Sequence, residues 1–390
     1  MLFPYPARTR RPNGFHMPHA PAANRRPVDI KLVAALILLL LVGLVVLFSA
    51  TYYAAQEGGD ALSAVKRQLL GIAMGAVACY ACSRIPFAVY RDARLIWGLL
   101  ALSVALLVLV LIPGIGQSIN GSRRWIRLFG GLSFQPSEFS KFAMVLFLAN
   151  ALWTRGAAIR SLLRGILPLL LVPGILFLLI LEQPNLSTGG SIVIVAILMV
   201  AVSGARLPHI GVLGTGGAAV GVAYAWSAPY RRERLLSFRD PFAKMSDEGY
   251  QLSQSLIAFG SGGLFGQGLG AGRQKFAYLP YPESDFIFAI VGEDFGWVGC
   301  VAVLAMFGAF VFLGMRIALR CPDRHGCLLA AGITCMIGVQ VFINVGVVTG
   351  LLPTTGLPLP FFSAGGTSVS ILMAAVGILL NVSRYGENIL

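Results

Sequence analysis

The sequence predicts an all-α polytopic membrane protein of about ten transmembrane helices, and three observations carry that prediction. Hydrophobic residues make up 57% of the 390 positions and charged residues 12%, with a mean hydropathy of +0.79; a soluble globular chain is roughly 25% charged. The apolar residues fall in long runs of about 20, the length that crosses a bilayer as a helix. The arginines and lysines are scattered between those runs. The net charge of +14 is therefore read as membrane topology and attraction to anionic lipid, and nucleic acid is not an expected partner.

Taken in order, residues 1–31 hold Arg8, Arg10, Arg11, Arg25 and Arg26 among prolines. They are too long and irregular for a signal-peptide n-region and read as a disordered basic tail. Apolar runs follow at 32–54, 67–85, 95–113, 136–153, 164–182, 188–204, 207–227, 285–315, 327–350 and 366–383, with a short tail at 384–390. The 285–315 run is long enough for one tilted helix with extra turns. Cys79, Cys82, Cys300, Cys321, Cys327 and Cys335 lack the spacing of a zinc site and read as small buried hydrophobes.

With a cytoplasmic N-terminus, every inside loop carries arginine, as topology requires. The outside segments are then 55–66, 114–135, 183–187, 228–284 and 351–365. Two of them oppose the rule: 114–135 holds Arg123, Arg124 and Arg127, and 228–284 holds Arg231, Arg232, Arg234, Arg239, Lys244, Arg273 and Lys275. An anionic ligand on that face is the simplest reason for such charges.

The long segment 228–284 between the seventh and eighth spans opens with PYRRERLLSFRDPFAK, which reads as a basic amphipathic surface helix. Its second part, GYQLSQSLIAFGSGGLFGQGLGAG, sets Gln251, Gln254 and Ser255 among apolar residues ahead of a glycine-rich run. No nucleotide fingerprint is present. The glycines suit either close approach to a ligand or a flexible re-entrant hairpin.

Four stretches bear chemistry. In LPYPESDFIFAIVGEDFGWVG, proline fixes an extended approach and places Asp285 in the first turn of the next helix. A buried carboxylate near the interface suits a general base, and a helix N-terminal charge is the plain alternative. Glu283 shares that turn. Glu293 and Asp294 lie two turns further along, where Glu293 reads as a buried acid paired for structure or as a second acid of the site. In GSRRWIRLFGGLSFQPSEFSK, Arg123 and Arg124 beside Trp125 suit a phosphate with an amphipathic neighbour. Glu138 and Lys141 stand three apart and can pair on one helix face, or Lys141 can reach a pyrophosphate. EQPNLSTGG and LLPTTGLPLPFFSAGGTS read as irregular backbone lining a cavity, or as tight turns. His209 and His325 fall in expected cytoplasmic loops, away from this face.

The segments GSRRWIRL, FQPSEFSK, QPNLSTG, GYQLSQSLIAFGSGGLFGQGLG, QKFAYLP, ESDFIFAIVGEDFG and PTTGLPLPFFSAGG resemble, in order, those of the SEDS family (shape, elongation, division and sporulation), whose members include FtsW, RodA and SpoVE. Tyr250-Gln251 and the Gln274–Pro280 stretch are most similar to the cell-division branch, FtsW. The resemblance implies a ten-helix SEDS fold with a transmembrane domain over 32–383, a large extracytoplasmic loop at 228–284 and both termini cytoplasmic. It implies a peptidoglycan glycosyltransferase of the bacterial inner membrane that polymerises lipid II on the outer face, at the septum. Asp285 would be the catalytic base. Arg123, Arg124, Lys141 and Lys275 would hold the pyrophosphate of undecaprenyl-linked substrates, with Glu138, Glu293, Gln251 and Ser255 supporting. No cofactor is certain, Mg or Mn being the open option. The implied partners are a class B penicillin-binding protein and other divisome membrane proteins. Rival readings are a lipid II flippase and the elongation-type polymerase. The chain departs from the commoner family pattern at Glu283-Ser284, where a His is usual before Thr, and at Asn185, where Asp is usual.

Overall fold

The computed structural model describes residues 27–52, 62–119, 122–127, 133–227, 232–233, 236–244, 249–274 and 278–385. The basic tail up to residue 26, Arg231, Arg234, Lys275 and residues 386–390 lie outside the described residues. Ten long helices occur at the ten expected positions: α1 (Ile30–Thr51), α2 (Leu62–Arg84), α3 (Ala93–Leu109), α4 (Pro136–Arg155), α5 (Leu167–Leu181), α6 (Leu186–Val202), α7 (Leu207–Trp226), α9 (Ile287–Arg320), α10 (Arg324–Val348) and α11 (Gly366–Ser383). A shorter helix, α8 (Tyr250–Gly262), lies between α7 and α9. Of these, α1, α2, α9, α10, α11 and the Leu162–Leu181 stretch ending in α5 are long and apolar enough to cross a membrane, with α3 and α6 as shorter apolar helices.

One small sheet interrupts the all-helical expectation. Strands β1 (Gly116–Ile119), β2 (Ser122–Arg127) and β3 (Ser133–Phe134) pair antiparallel in that order. Gln117 opposes Trp125 and Ile126 opposes Phe134. The strands are short and mostly polar, so no two-residue alternation announced them. The sheet is tied to the bundle where Thr367 Oγ1 donates to the Ser133 carbonyl at 2.6 Å.

Helix α10 runs through the centre, against α4, α6, α9 and α11. At one end of the bundle, Asp29 caps α1 through Lys31 N and Leu32 N and pairs with Arg316 of α9 at 2.6 Å. At the same end Arg91 pairs with Asp323, the cap of α10, and lies over the rings of Phe87 and Trp153. His325, expected in a loop, is buried in the first turn of α10, edge-on to those two rings. His209 likewise lies in α7. In the basic stretch before α8, Phe242–Lys244 form a single 3-10 turn.

The glycine-rich run after α8 is not a free hairpin. Helix α9 breaks at Gly296 (φ 66°, ψ −162°). In an unbroken helix the Trp297 and Val298 amides would donate to the Glu293 and Asp294 carbonyls. Here they donate to Gly263 O and Leu264 O at 3.0 and 3.1 Å. The freed carbonyls accept from Gln267 N and Gly268 N at 2.9 and 3.1 Å. Four hydrogen bonds thus zip the loop into the break and pair the two amides and two carbonyls that the kink frees. Gly266 sits at φ +81°, and a Cβ there would clash with the Asp294 carbonyl oxygen. Gly266→Ala should therefore destabilise by about 2–4 kcal/mol, combining left-handed strain and overpacking. Gly260→Ala in α8, which meets nothing within 4 Å, is the control. Apparent melting of both variants in detergent checks this, and equal melting would discount the zipper.

Candidate functional site

The other end of the bundle gathers the turn before α9, the 351–365 loop, strand β2 and the Gln183–Asn185 turn. Asp285 was expected in the first turn of a helix. It lies two residues before α9, because other groups capture the backbone there. Ala364 N donates to Glu283 O at 2.8 Å, Ser363 Oγ donates to Ser284 O, and Asn344 Nδ2 donates to Asp285 O at 2.7 Å. Three consecutive carbonyls are thus held by the loop and by α10. Asn344 Nδ2 also donates to Leu357 O at 2.8 Å. The amide therefore clamps both walls of the site.

The side chains meet at Gly356. Asp285 Oδ2 lies 3.2 Å, and Arg124 Nη1 3.6 Å, from the point a Cβ on Gly356 would occupy. Carboxylate and guanidinium thus flank one backbone position left open by the missing side chain. Arg124 Nε donates to Gln183 O at 3.1 Å and its Nη2 donates to Pro184 O. That fixes β2 against the turn that leads into α6. Arg123 is exposed and reaches Leu111 O with one nitrogen at 3.4 Å.

Glu283 is half-buried beside Asp285. Burial pushes its carboxyl up from the ordinary range, the neighbouring Asp285 adds to that, and Arg67 of α2 opposes it.

The other expected residues lie one layer in. Lys141 is 2% exposed, its Nζ 2.8 Å from Glu138 Oε1, and it donates to Gln340 Oε1 at 2.6 Å. Ser368 Oγ donates to Glu138 Oε2 at 3.2 Å, and Gln340 Nε2 donates to Pro358 O at 2.9 Å. The expected Glu138–Lys141 pair forms, and the ammonium is enclosed in this network. Glu293 is 0% exposed and accepts from the Arg273 and Gln274 amides at 2.6 and 3.0 Å. It anchors the chain just before Lys275. Asp294 accepts from Ser49 Oγ of α1. Ser255 Oγ donates to Val348 O at 2.7 Å, while Gln251 is half-buried in α8.

Gln340 and Asn344 went unnoticed in the sequence, and Ser363 was singled out only as part of the LLPTTGLPLPFFSAGGTS stretch. The available signal was in α10, where two amides one turn apart interrupt an apolar run. Among the described residues, no three His, Cys, Asp or Glu side chains converge as a metal site.

The comparisons with known proteins cover about nine-tenths of the chain. The FtsW/RodA/SpoVE family, described as cell cycle proteins, matches residues 30–388. Stage V sporulation protein E of Bacillus subtilis (strain 168) is 45% identical over 362 residues, 92% of this chain and 98% of its own. The probable peptidoglycan glycosyltransferase FtsW of Trichlorobacter lovleyi is 41% identical over 358 residues, 91% of this chain and 93% of its own. Among solved structures, a chain reported under the structural coordination of polymerization and crosslinking by a peptidoglycan synthase complex superposes with a TM-score of 0.75 at 28% identity, covering 92% of this chain and 99% of that one. The rod shape determining protein RodA of Thermus thermophilus gives a TM-score of 0.67 at 28% identity, covering 92% and 97%. With ten long helices among the described residues and matches over nine-tenths of its length, the chain belongs to the FtsW/RodA/SpoVE family of polytopic membrane proteins.

Proposed function

We propose that the chain is a peptidoglycan glycosyltransferase that polymerises lipid II on the extracytoplasmic face of the bacterial inner membrane. The observation that carries this is the Asp285–Gly356–Arg124 seam: a carboxylate on an immobilised backbone faces a guanidinium across an open backbone position. Asp285 takes the proton from an acceptor-sugar hydroxyl. The oxygen attacks the anomeric carbon of the growing chain, the bond to pyrophosphate breaks, and the centre inverts. Undecaprenyl pyrophosphate is already a stable anion, so cationic stabilisation serves it better than a strong acid. Arg123 and Arg124 provide that charge, with Lys275 joining from outside the described residues. Lys141 supports them from the buried network. A divalent cation, Mg or Mn, has no three-ligand cluster among the described residues, and no step is assigned to one.

The division branch is the preferred placement, with the large 228–284 loop outside and both termini cytoplasmic. It rests on Tyr250-Gln251 and the Gln274–Pro280 stretch, with SpoVE-like and FtsW-like relatives both similar over nine-tenths of the chain. The chain then works beside a class B penicillin-binding protein that crosslinks its product, among other divisome proteins. The test is polymerisation of lipid II by the purified chain and that partner in proteoliposomes, where glycan polymer is expected. Lipid movement across the bilayer without polymer would instead indicate a flippase. In the same assay Arg123→Ala should weaken lipid II binding about five- to twentyfold through a lost charge-assisted contact. Unchanged binding would remove Arg123 from the pyrophosphate site.

A further inference from the structure

The part of the 351–365 loop nearest α11 carries two of the donors that hold the aspartate turn. Ser363 Oγ donates to Ser284 O, and Ala364 N donates to Glu283 O at 2.8 Å. Ser363 Oγ also accepts from Leu359 N at 2.8 Å, which orients the hydroxyl. Phe361, just before these donors, sits at φ +66°. A bulky side chain keeps that left-handed conformation only where its surroundings impose it. Packing supplies part of the constraint. The Phe361 ring lies 5.8 Å from that of Phe310 in α9, and its carbonyl oxygen lies 2.8 Å from where a Cβ on Gly43 of α1 would stand.

The rest comes from α2. Gln68 is 1% exposed, and both ends of its amide are used on this turn. Nε2 donates to Phe361 O at 3.4 Å, and Oε1 accepts from Gly365 N at 3.2 Å. One side chain thus bridges the segment from Phe361 to Gly365, and Ser363 and Ala364 lie between its two contacts. The amide fits only this way round, because a carbonyl needs a donor and a backbone N–H an acceptor. Helix α2 delivers Gln68 to this place because its register against α11 is fixed. A Cβ on Gly71 would clash with the Gly366 backbone, and one on Gly75 would meet Met373 Sδ at 2.6 Å. Ser370 Oγ donates to Gly71 O at 2.7 Å. Gln68 lies about one helical turn before Gly71, which brings it to the residue before Gly366.

We propose that Gln68 is a positioning residue for the base: by bridging Phe361 and Gly365 it sets where Ser363 and Ala364 hold the turn, and so where Asp285 stands. This rests on the glycosyltransferase reading of the Asp285 site. Asn344 holds the same turn from α10, and Gln68 adds a hold from α2 that reaches Asp285 through the loop alone.

Gln68→Met keeps the side-chain length and removes both hydrogen bonds. Lipid II polymerisation by the full-length chain with its penicillin-binding partner in proteoliposomes should lose about ten- to hundredfold in kcat. That is the scale for displacing a reacting group by about an ångström. KM should stay within about threefold, because substrate binding is left intact. Gln68→Asn draws the same amide back by one methylene and should fall in the same direction; it keeps the test open if the methionine variant does not fold. Ser370→Ala is the structural control. It removes a hydrogen bond between α2 and α11 and spares the bridge, so it should lower melting and leave kcat within about twofold. Ser363→Ala breaks the route further on. Combined with Gln68→Met it should be about as slow as the slower single variant, since both act through one turn. Hydrogen exchange reads the bridge without activity: the amides of 361–365 and 283–285 should exchange faster in Gln68→Met and not in Ser370→Ala. A kcat for Gln68→Met within twofold of wild type would overturn the inference. So would an equal loss in Ser370→Ala, or losses that multiply in the double variant. Wild-type chain that makes no polymer while the exchange pattern holds would sink the polymerase reading and not the bridge.

Discussion

Asp285→Asn is expected to lower lipid II polymerisation by about 10²- to 10⁴-fold, the range for removing a general base, while lipid II affinity stays within about threefold. The substitution is close to isosteric. The tethers of the turn run to main-chain carbonyls of residues 283–285, so they survive it. Loss of rate with retained binding therefore isolates proton abstraction from folding and from substrate capture. Glu283 is the internal comparison. Its carboxyl holds a proton to higher pH because of burial first and Asp285 second. The side chains within 4 Å of the open position at Gly356 are those of Asp285 and Arg124, and not that of Glu283. Glu283→Gln should accordingly leave far more activity than Asp285→Asn. Polymerisation by Asp285→Asn within tenfold of wild type would remove Asp285 from the chemistry.

The helices were legible because a bilayer sets their length, and the ten apolar runs have it. Glu138 and Lys141 were legible as a pair because helix geometry alone brings positions three apart together. The turn at Asp285 was misread for the opposite reason. Pro280 and Pro282 correctly announced an extended approach, but where the helix starts is decided by Ser363 and Asn344, 79 and 59 positions away. No local signal encodes such a partner. Gly296 was hidden in the same way. It stands in an apolar run that also holds Gly292 and Gly299, and only the loop that bonds to it distinguishes it as the break. The role of Asp285 came from family resemblance; residue type and spacing left base and helix charge open. What the structure adds is a reason for the choice, since Asp285 faces Arg124 across Gly356 while Glu293 spends its carboxylate on the Arg273 and Gln274 amides.

Lys141→Met should be among the most destabilising single changes in the chain, by about 3–5 kcal/mol, because it leaves the Glu138 carboxylate buried without its cation. The two side chains are 1–2% exposed, so solvent cannot compensate. Neutralising both, as Glu138→Gln with Lys141→Met, should recover most of the loss, since a buried pair replaced by neutral groups of similar size is often near neutral. Equilibrium unfolding in mixed detergent would measure all three variants. The network also reaches the site. Gln340 connects Lys141 to Pro358 O, and one turn along α10 Asn344 holds Leu357 O and Asp285 O. The single variant should therefore lose activity along with stability. The double variant decides what the charge is for. If it regains both stability and polymerisation, Lys141 is a strut that sets the position of the aspartate turn. If it regains stability while polymerisation stays low, the ammonium acts on the substrate, and the pyrophosphate site extends inward to Lys141.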